Sequence, residues 1–308
     1  MCCIGIFVLA LMLNSCGKGT GPDMTSSPAA THHIQNVFIL MMENHNWSGD
    51  GSYSISANPN APYLNSKLLP MGAHASNYNN PPGIHPSLPN YLWLEAGTNF
   101  GILSDGPSVA ADTQTTTQHL VTLLNNAGIP WKAYSEEADG KSCPLGNEWH
   151  VPFVFFADVT DNLNPNSQYC ISHIRPMTEL FSDLVNGTTA QYSIILPSDC
   201  HDMHTSCGGA NQIAAGDTWL SQQVPKIMAS KAYQTGVLFI LFDEARTGDG
   251  PIPMLVLSPF AKAGGYTNNT YYEHGSMLRT LEEIFEVDPM LRDAAKQTDL
   301  SDFFQQFP

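Results

Sequence analysis

The stretch that most constrains this chain is Asn-Val-Phe-Ile-Leu-Met-Met at residues 36–42, which runs directly into Glu43-Asn44-His45. Seven largely apolar residues without polar alternation predict a strand buried on both faces, as in a parallel sheet covered by helices on each side. In open α/β sheets the carboxyl ends of such strands open onto the crevice where ligands bind. Glu43 and Asn44 at that point either begin a cation and phosphate site that later segments complete, or belong to an ordinary polar loop after a core strand.

A second run of this kind, Gly-Val-Leu-Phe-Ile-Leu-Phe at 236–242, ends in Asp243-Glu244. Further strands are expected at 129–134, 192–196 and 253–257. Helices are expected at 87–97, 115–127, 176–185, 215–230 and 276–285. Strands alternating with helices predict a three-layer α/β/α sandwich with a mostly parallel central sheet. Residues 48–86, rich in Gly, Asn, Ser, Pro and Tyr, read as a long irregular excursion, and loops of that length in a compact domain are usually functional. Residues 140–166 read as an insertion, and its run Val151-Pro152-Phe153-Val154-Phe155-Phe156 reads as a core strand rather than a lipid-facing lip.

The first 16 residues are expected to be a lipoprotein-type signal and 17–35 a flexible tether, leaving 36–308 as one domain. The apolar stretch from Ile4 to Leu13 is too short to span a bilayer, and Leu13-Asn14-Ser15-Cys16 resembles a bacterial lipobox that places a lipid on Cys16, although no Lys or Arg precedes it. Export leaves Cys143, Cys170, Cys200 and Cys207 in an oxidising compartment. Proximity pairs Cys200 with Cys207 and elimination pairs Cys143 with Cys170. A zinc site on these four lacks the closely spaced cysteine pair that would start one.

Charge narrows the chemistry. Twelve Lys and Arg against 28 Asp and Glu give a formal charge of -16, which excludes a basic nucleic-acid footprint. So acidic a chain captures a phosphate group through a cation or a local cluster of donors, not through bulk charge. Two of the most apolar strands ending in Glu43-Asn44 and Asp243-Glu244 are explained economically by one shared divalent cation.

Three constellations could act on a phosphoryl group. Ser87, in Ile84-His85-Pro86-Ser87-Leu88-Pro89-Asn90-Tyr91, sits where a helix begins. It is either an ordinary N-cap or a nucleophile beside the positive end of the helix dipole. Asp199-Cys200-His201-Asp202-Met203-His204 follows a strand directly, so its imidazoles and carboxylates can converge on one metal or phosphoryl group. His274, in Tyr271-Tyr272-Glu273-His274-Gly275-Ser276, precedes the last helix and either packs there or meets an anion. His119 and His173 read as surface or helix-face residues, mostly structural.

Taken in order, Met42-Glu43-Asn44-His45, His85 to Tyr91, Cys200 to His204, Gly216-Asp217-Thr218-Trp219-Leu220, Phe242-Asp243-Glu244 and Glu273 to Ser276 resemble the bacterial phosphoesterase family. That family comprises acid phosphatases and phospholipases C within the alkaline phosphatase superfamily, and the compact length is closer to the secreted acid phosphatases, including the phosphatidylinositol-3-phosphatase type. The resemblance implies an alkaline-phosphatase-like fold with Ser87 as nucleophile. It implies a divalent cation on Glu43, Asn44, Asp243, Glu244 and Ser87, and phosphate contacts from Asp202, His204, His274 and His85. His201 stands where the family carries Asn, and Tyr91 stands where a sulfatase requires Arg.

The implied activity is hydrolysis of small phosphate monoesters or phospholipid headgroups, phosphoinositides included, through a phosphoserine, with His204 or His274 protonating the leaving oxygen. The alternatives are a phospholipase C-type phosphodiesterase and a lipid-tethered protein that binds phosphate or metal without turnover. The location expected is the cell envelope, lipid-anchored through Cys16, or the exterior.

Overall fold

The computed structural model describes Met1 and residues 33–146 and 150–308. The signal segment, most of the tether and the Cys16 lipidation site lie outside the described residues. His33–Gln35, expected as the end of the tether, belong to the domain. Ile34 is buried, the His33 N–H donates to the Pro308 carbonyl and the Gln35 N–H to that of Thr235.

Eight strands form one sheet: β1 (Asn36–Met42), β2 (Ala73–Ala75), β3 (Trp131–Ser135), β4 (Ile174–Pro176), β5 (Tyr192–Leu196), β6 (Gly236–Phe242), β7 (Met254–Leu257) and β8 (Tyr266–Asn268). Their order is β4-β3-β5-β1-β6-β7-β2-β8. The two apolar runs lie side by side at its centre, β1 pairing with β6 in parallel from Asn36↔Gly236 to Met42↔Phe242. Both strands therefore end level with one another, and Glu43 and Asp243 emerge at the same edge. Every residue of β6 and all but the first of β1 are buried, because both faces of the central strands are covered.

Most pairings are parallel, but β7 runs antiparallel to β6 and β2 antiparallel to β7. No crossover helix separates β6 from β7, and a parallel return would need one. The edge strands β4 and β8, and β2 next to β8, are three residues each and carry too little apolar pattern to be read from sequence. β4 ends on Pro176, a residue that only an edge strand tolerates.

The principal helices are α1 (Ser87–Ala96), α2 (Leu120–Asn126), α3 (Met177–Asn186), α4 (Gln212–Met228) and α5 (His274–Phe285). Helices α1, α2 and α5 pack together, as do α3 and α4. The expected start of α2 at 115 is too early, since His119 is extended and the helix begins after it. His119 is also fully buried rather than on a surface, its Nδ1 2.9 Å from Glu95 Oε1 and its Nε2 3.1 Å from Asp158 Oδ1. The Phe-rich run is neither strand nor lip: Pro152–Phe155 form a 3-10 turn, with Phe153, Phe155 and Phe156 in the core. Both expected disulfides form, Cys143–Cys170 and Cys200–Cys207. Among the described residues no helix is long and apolar enough to cross a membrane.

Candidate active site

Residue 87 settles its own local question. The N-cap of α1 is Pro86, which has no side-chain donor or acceptor, and Ser87 is the first helical residue. Its hydroxyl makes no capping bond and donates instead to Glu43 Oε2 at 2.9 Å. One turn on, the Tyr91 hydroxyl donates to Glu43 Oε1 at 2.5 Å, so both oxygens of this buried carboxyl are directed by α1. Tyr91 entered the sequence argument only as the residue standing where a sulfatase needs Arg; here it shapes the site.

Asn44 takes a left-handed backbone, φ 47°, which Asn tolerates better than most residues. That turn points its N–H at Asp243 Oδ1, 2.9 Å away. The other Asp243 oxygen is buried with no hydrogen-bond partner. Asp202 arrives from the loop after β5, whose backbone carbonyl accepts the Glu43 N–H at 2.9 Å. Between Asp202 and His204, Met203 has φ 79°, a conformation that is a genuine outlier for a bulky residue. It is held by packing against Gly216, where a Cβ would come within 2.4 Å of Met203 Cγ, and by its carbonyl, 3.1 Å from His45 Nε2. The consequence is that Asp202 turns into the core and His204 turns out to solvent.

Electrostatics make the cluster demanding. Burial first, then the charges of Asp243 and Asp202, push the Glu43 carboxyl well above the carboxylate range. Burial likewise raises Asp243, and it pushes Asp202 up to about 8 with help from Asp199 and Asp243. Glu244 is pushed up to about 9 by burial, then by Asp243 and Asp105. Among the described residues no Lys or Arg forms an ion pair with any of the four. Such a group stays protonated or takes up a cation, since buried like charges cannot all ionise unaided.

The donors fit a divalent cation. Glu43, His150 and Asp202 each offer a ligand atom, and these lie within 4.8 Å of one another. The unpartnered Asp243 oxygen and the Ser87 hydroxyl add hard oxygen donors, the kind Mg²⁺, Ca²⁺ or Mn²⁺ prefer. Of the five ligands expected, Glu43, Asp243 and Ser87 converge. Asn44 contributes its backbone N–H to Asp243. Glu244 faces the other way: its Oε2 lies 2.5 Å from His85 Nδ1 and accepts from Asn90 Nδ2 at 3.3 Å.

The imidazoles separate by role. His274 is fully buried, and burial lowers it to about 4, so the ring is neutral near pH 7. Its Nε2 lies against the Asp243 backbone carbonyl and must donate, leaving Nδ1 to accept from the Tyr78 hydroxyl at 3.2 Å. Both nitrogens being committed, the geometry gives His274 the position of a strut under Asp243 rather than a proton donor. His85 bridges Glu244 and Asp249, its Nε2 3.1 Å from the latter. His204 is exposed, 6.2 Å ring to ring from His150. His150, which the sequence reading did not single out, stacks on Tyr91 at 5.7 Å, with Nε2 3.5 Å from Glu43 Oε1. It lies inside the insertion with no motif around it, so only the packing reveals it.

The Gly-Asp-Thr-Trp-Leu motif on α4 ties down segments around the loop that carries Asp202. Asp217 accepts the N–H groups of Tyr63 and Leu64, each at 2.8 Å, and so anchors the excursion 48–86. Trp219 Nε1 donates to Glu136 Oε1 at 2.9 Å, and His201 Nδ1 lies 2.7 Å from Glu136 Oε2.

Comparison with known proteins agrees with this arrangement. Residues 77–288 match the Phosphoesterase family. A phosphatidylinositol-3-phosphatase of Mycobacterium tuberculosis is 27% identical over 287 residues, covering 91% of this chain and 86% of the relative. A solved protein of the alkaline phosphatase superfamily from Vibrio parahaemolyticus superposes with a TM-score of 0.56 at 14% identity, over 91% of this chain and 77% of that one. The lipoteichoic acid synthase LtaP of Listeria monocytogenes gives 0.57 at 10% identity, over 89% and 79%. The two solved structures show the same overall fold. With the ordered motifs, the strand arrangement and the family match in agreement, the chain belongs to the Phosphoesterase family and is a phosphoric ester hydrolase.

Proposed function

We propose that this hydrolase is a phosphomonoesterase of the acid phosphatase kind, working through a phosphoserine on Ser87. The observation that carries the reading is the Ser87 hydroxyl donating to Glu43 Oε2 at 2.9 Å within a buried carboxyl cluster. Glu43, Asp243 and Ser87, with Asp202 and His150 alongside, would hold a divalent cation. When bound, it would neutralise the carboxylates and make the hydroxyl more acidic.

Ser87 Oγ attacks phosphorus in line, its proton passing to Glu43, while the bond to the leaving oxygen breaks. His204, exposed on the outer side of the cluster, protonates that oxygen as the alcohol departs. Water, giving a proton to His204, then attacks from the side the alcohol vacated; the bond from Ser87 Oγ to phosphorus breaks, Glu43 returns its proton to that oxygen, and phosphate leaves. His274 positions Asp243, and His85 fixes Glu244.

A monoester is favoured by the compact length, and the Phe-rich run, which together with the excursion 48–86 could have offered a second substituent an apolar wall, is buried in the core. Likeness to a phosphatidylinositol-3-phosphatase supports phosphoinositide headgroups as substrates. The lipobox-like sequence ending in Cys16 and the two disulfides support export with lipid attachment.

The test is turnover of a chromogenic phosphate monoester and of a phosphocholine diester, with and without chelator, by wild type and Ser87→Ala. We expect monoester turnover to dominate and to fall by at least about a thousandfold in the variant. A Ser87→Ala protein close to wild type would remove the nucleophile assignment, and faster diester turnover would move the protein to the phosphodiesterases.

A further inference from the structure

The amino end of α1 is unusually poor in donors. A helix begins with four N–H groups that lack intrahelical partners. Here two of those four positions, the Pro86 N-cap and Pro89, have no N–H, which leaves Ser87 and Leu88. The Leu88 N–H is already engaged, donating to Asp105 Oδ1 at 3.0 Å. Asp105 comes from the loop that follows α1, seventeen positions later, and is half-buried. A carboxylate thus rests on half of the backbone donors that this helix could offer to a phosphoryl oxygen.

Its charge also reaches the rest of the cluster, helping to raise Glu244 and partly opposing the burial that lowers His150. A second observation marks this place as one that receives a ligand. Within the same cluster, fully buried Asp243 carries an oxygen with no partner, and the adjoining Ser87 hydroxyl points to Glu43 instead of capping the helix.

We infer that Asp105 sets the charge this site accepts: it occupies the α1 position that one phosphoryl oxygen would take and disfavours phosphorus groups carrying two negative charges. The inference rests on Ser87 being the point of attack. Coulomb repulsion between a carboxylate and a neighbouring dianion is about twice that with a monoanion, so the selection falls on the second charge. A phosphate monoester loses its second proton near a pKa of roughly 6. Asp105 therefore favours the singly charged form of a monoester and weakens retention of doubly charged inorganic phosphate after turnover.

The experiment compares Asp105→Asn with Asp105→Ala. Asn keeps an oxygen for the Leu88 N–H and removes the charge, whereas Ala removes both. The readouts, at one neutral pH, are the competitive Ki of inorganic phosphate and the ratio of kcat/KM for p-nitrophenyl phosphate over bis(p-nitrophenyl) phosphate. We expect Asp105→Asn to bind phosphate about tenfold tighter and to raise the ratio about tenfold. Asp105→Ala should move both in the same direction with a lower melting temperature, because the helix also loses a capping acceptor. Values within twofold of wild type in Asp105→Asn, or weaker phosphate binding, would reduce Asp105 to a helix cap and overturn the inference. Ser87→Ala is run in parallel. Loss of turnover there with an unchanged Asp105→Asn defeats this inference alone, and retained turnover there defeats the reading beneath it.

Discussion

Tyr91 and Glu43 are tied by a hydrogen bond of 2.5 Å between the phenol and Oε1, while Ser87, one turn earlier, holds Oε2. The carboxyl is thereby fixed in rotation by two hydroxyls from a single helix. Fixing it also fixes the direction in which Ser87 presents its lone pairs.

Removing the phenolic oxygen should loosen that geometry without emptying the core, since the ring remains. For Tyr91→Phe we expect kcat to fall about tenfold, equivalent to about 1.4 kcal/mol of lost transition-state stabilisation, with KM within about twofold. Steady-state kinetics on a chromogenic monoester check this, and an unchanged kcat would show that Ser87 alone orients Glu43.

The carboxyl cluster should be sensitive to divalent cations. Saturation with Mg²⁺, Ca²⁺, Mn²⁺ or Zn²⁺ at about a hundred times its Kd should stabilise the fold by about 2.7 kcal/mol, and chelator should reverse it. Glu43→Gln should abolish that response. Thermal melts with each cation, paired with equilibrium dialysis, decide the matter; no cation shifting the melt and none retained would leave the cluster protonated and metal-free.

Glu282 gives a pH dependence away from the site. It is 1% exposed, with one oxygen accepting the Leu291 N–H at 2.7 Å and the other unpartnered, and burial pushes it up to about 7. An acid raised in the folded state contributes stability that is full below its unfolded pKa, about 4.5, and is lost as pH climbs through the folded value. Between about pH 4.5 and 7 this group should therefore cost on the order of 3 kcal/mol. Glu282→Gln should remove that slope and stabilise the protein above pH 7, as read from denaturant midpoints across the range. A slope identical in the two proteins would count against it.

Asp217 should act as the anchor of residues 48–86. Asp217→Ala removes the acceptor of two backbone N–H groups and is expected to cost about 1–3 kcal/mol. Limited proteolysis should then cut within the excursion before anywhere else. Equal resistance to wild type would mean that the excursion is held by its own packing.

How much of this was legible from residues alone varies element by element. β1, β5 and β6 were readable to the residue because a doubly buried strand is apolar at nearly every position. Helix starts were less so: α5 begins at His274 and not 276, with Glu273 and Ser276 closing its capping box, a local exchange that hydrophobic spacing does not register. The Phe-rich run was apolar enough to be core but was misread as a strand, since Phe153 and Phe155 bury equally well in a 3-10 turn.

The site divides along the same line. Glu43, Ser87, Asp202 and Asp243 could be named as candidates because each follows a strong strand or opens a helix, where the chain announces its own crevice. His150 and Asp105 lie in irregular stretches and matter only through what they face. The opposite assignments of His204, exposed, and His274, buried and neutral, were likewise undetermined, both being imidazoles beside a predicted element.

Local apolar patterning, read from the chain by itself, determined the α/β class, the central strands and the edge at which polar residues would gather. Which side chains meet there was decided only by tertiary structure. Parallel pairing sets β1 level with β6 and brings the Asn44 N–H to Asp243 across 199 positions. Burial propensity is a property of short segments, whereas hydrogen-bond partners and charge neighbours come from the register of distant ones.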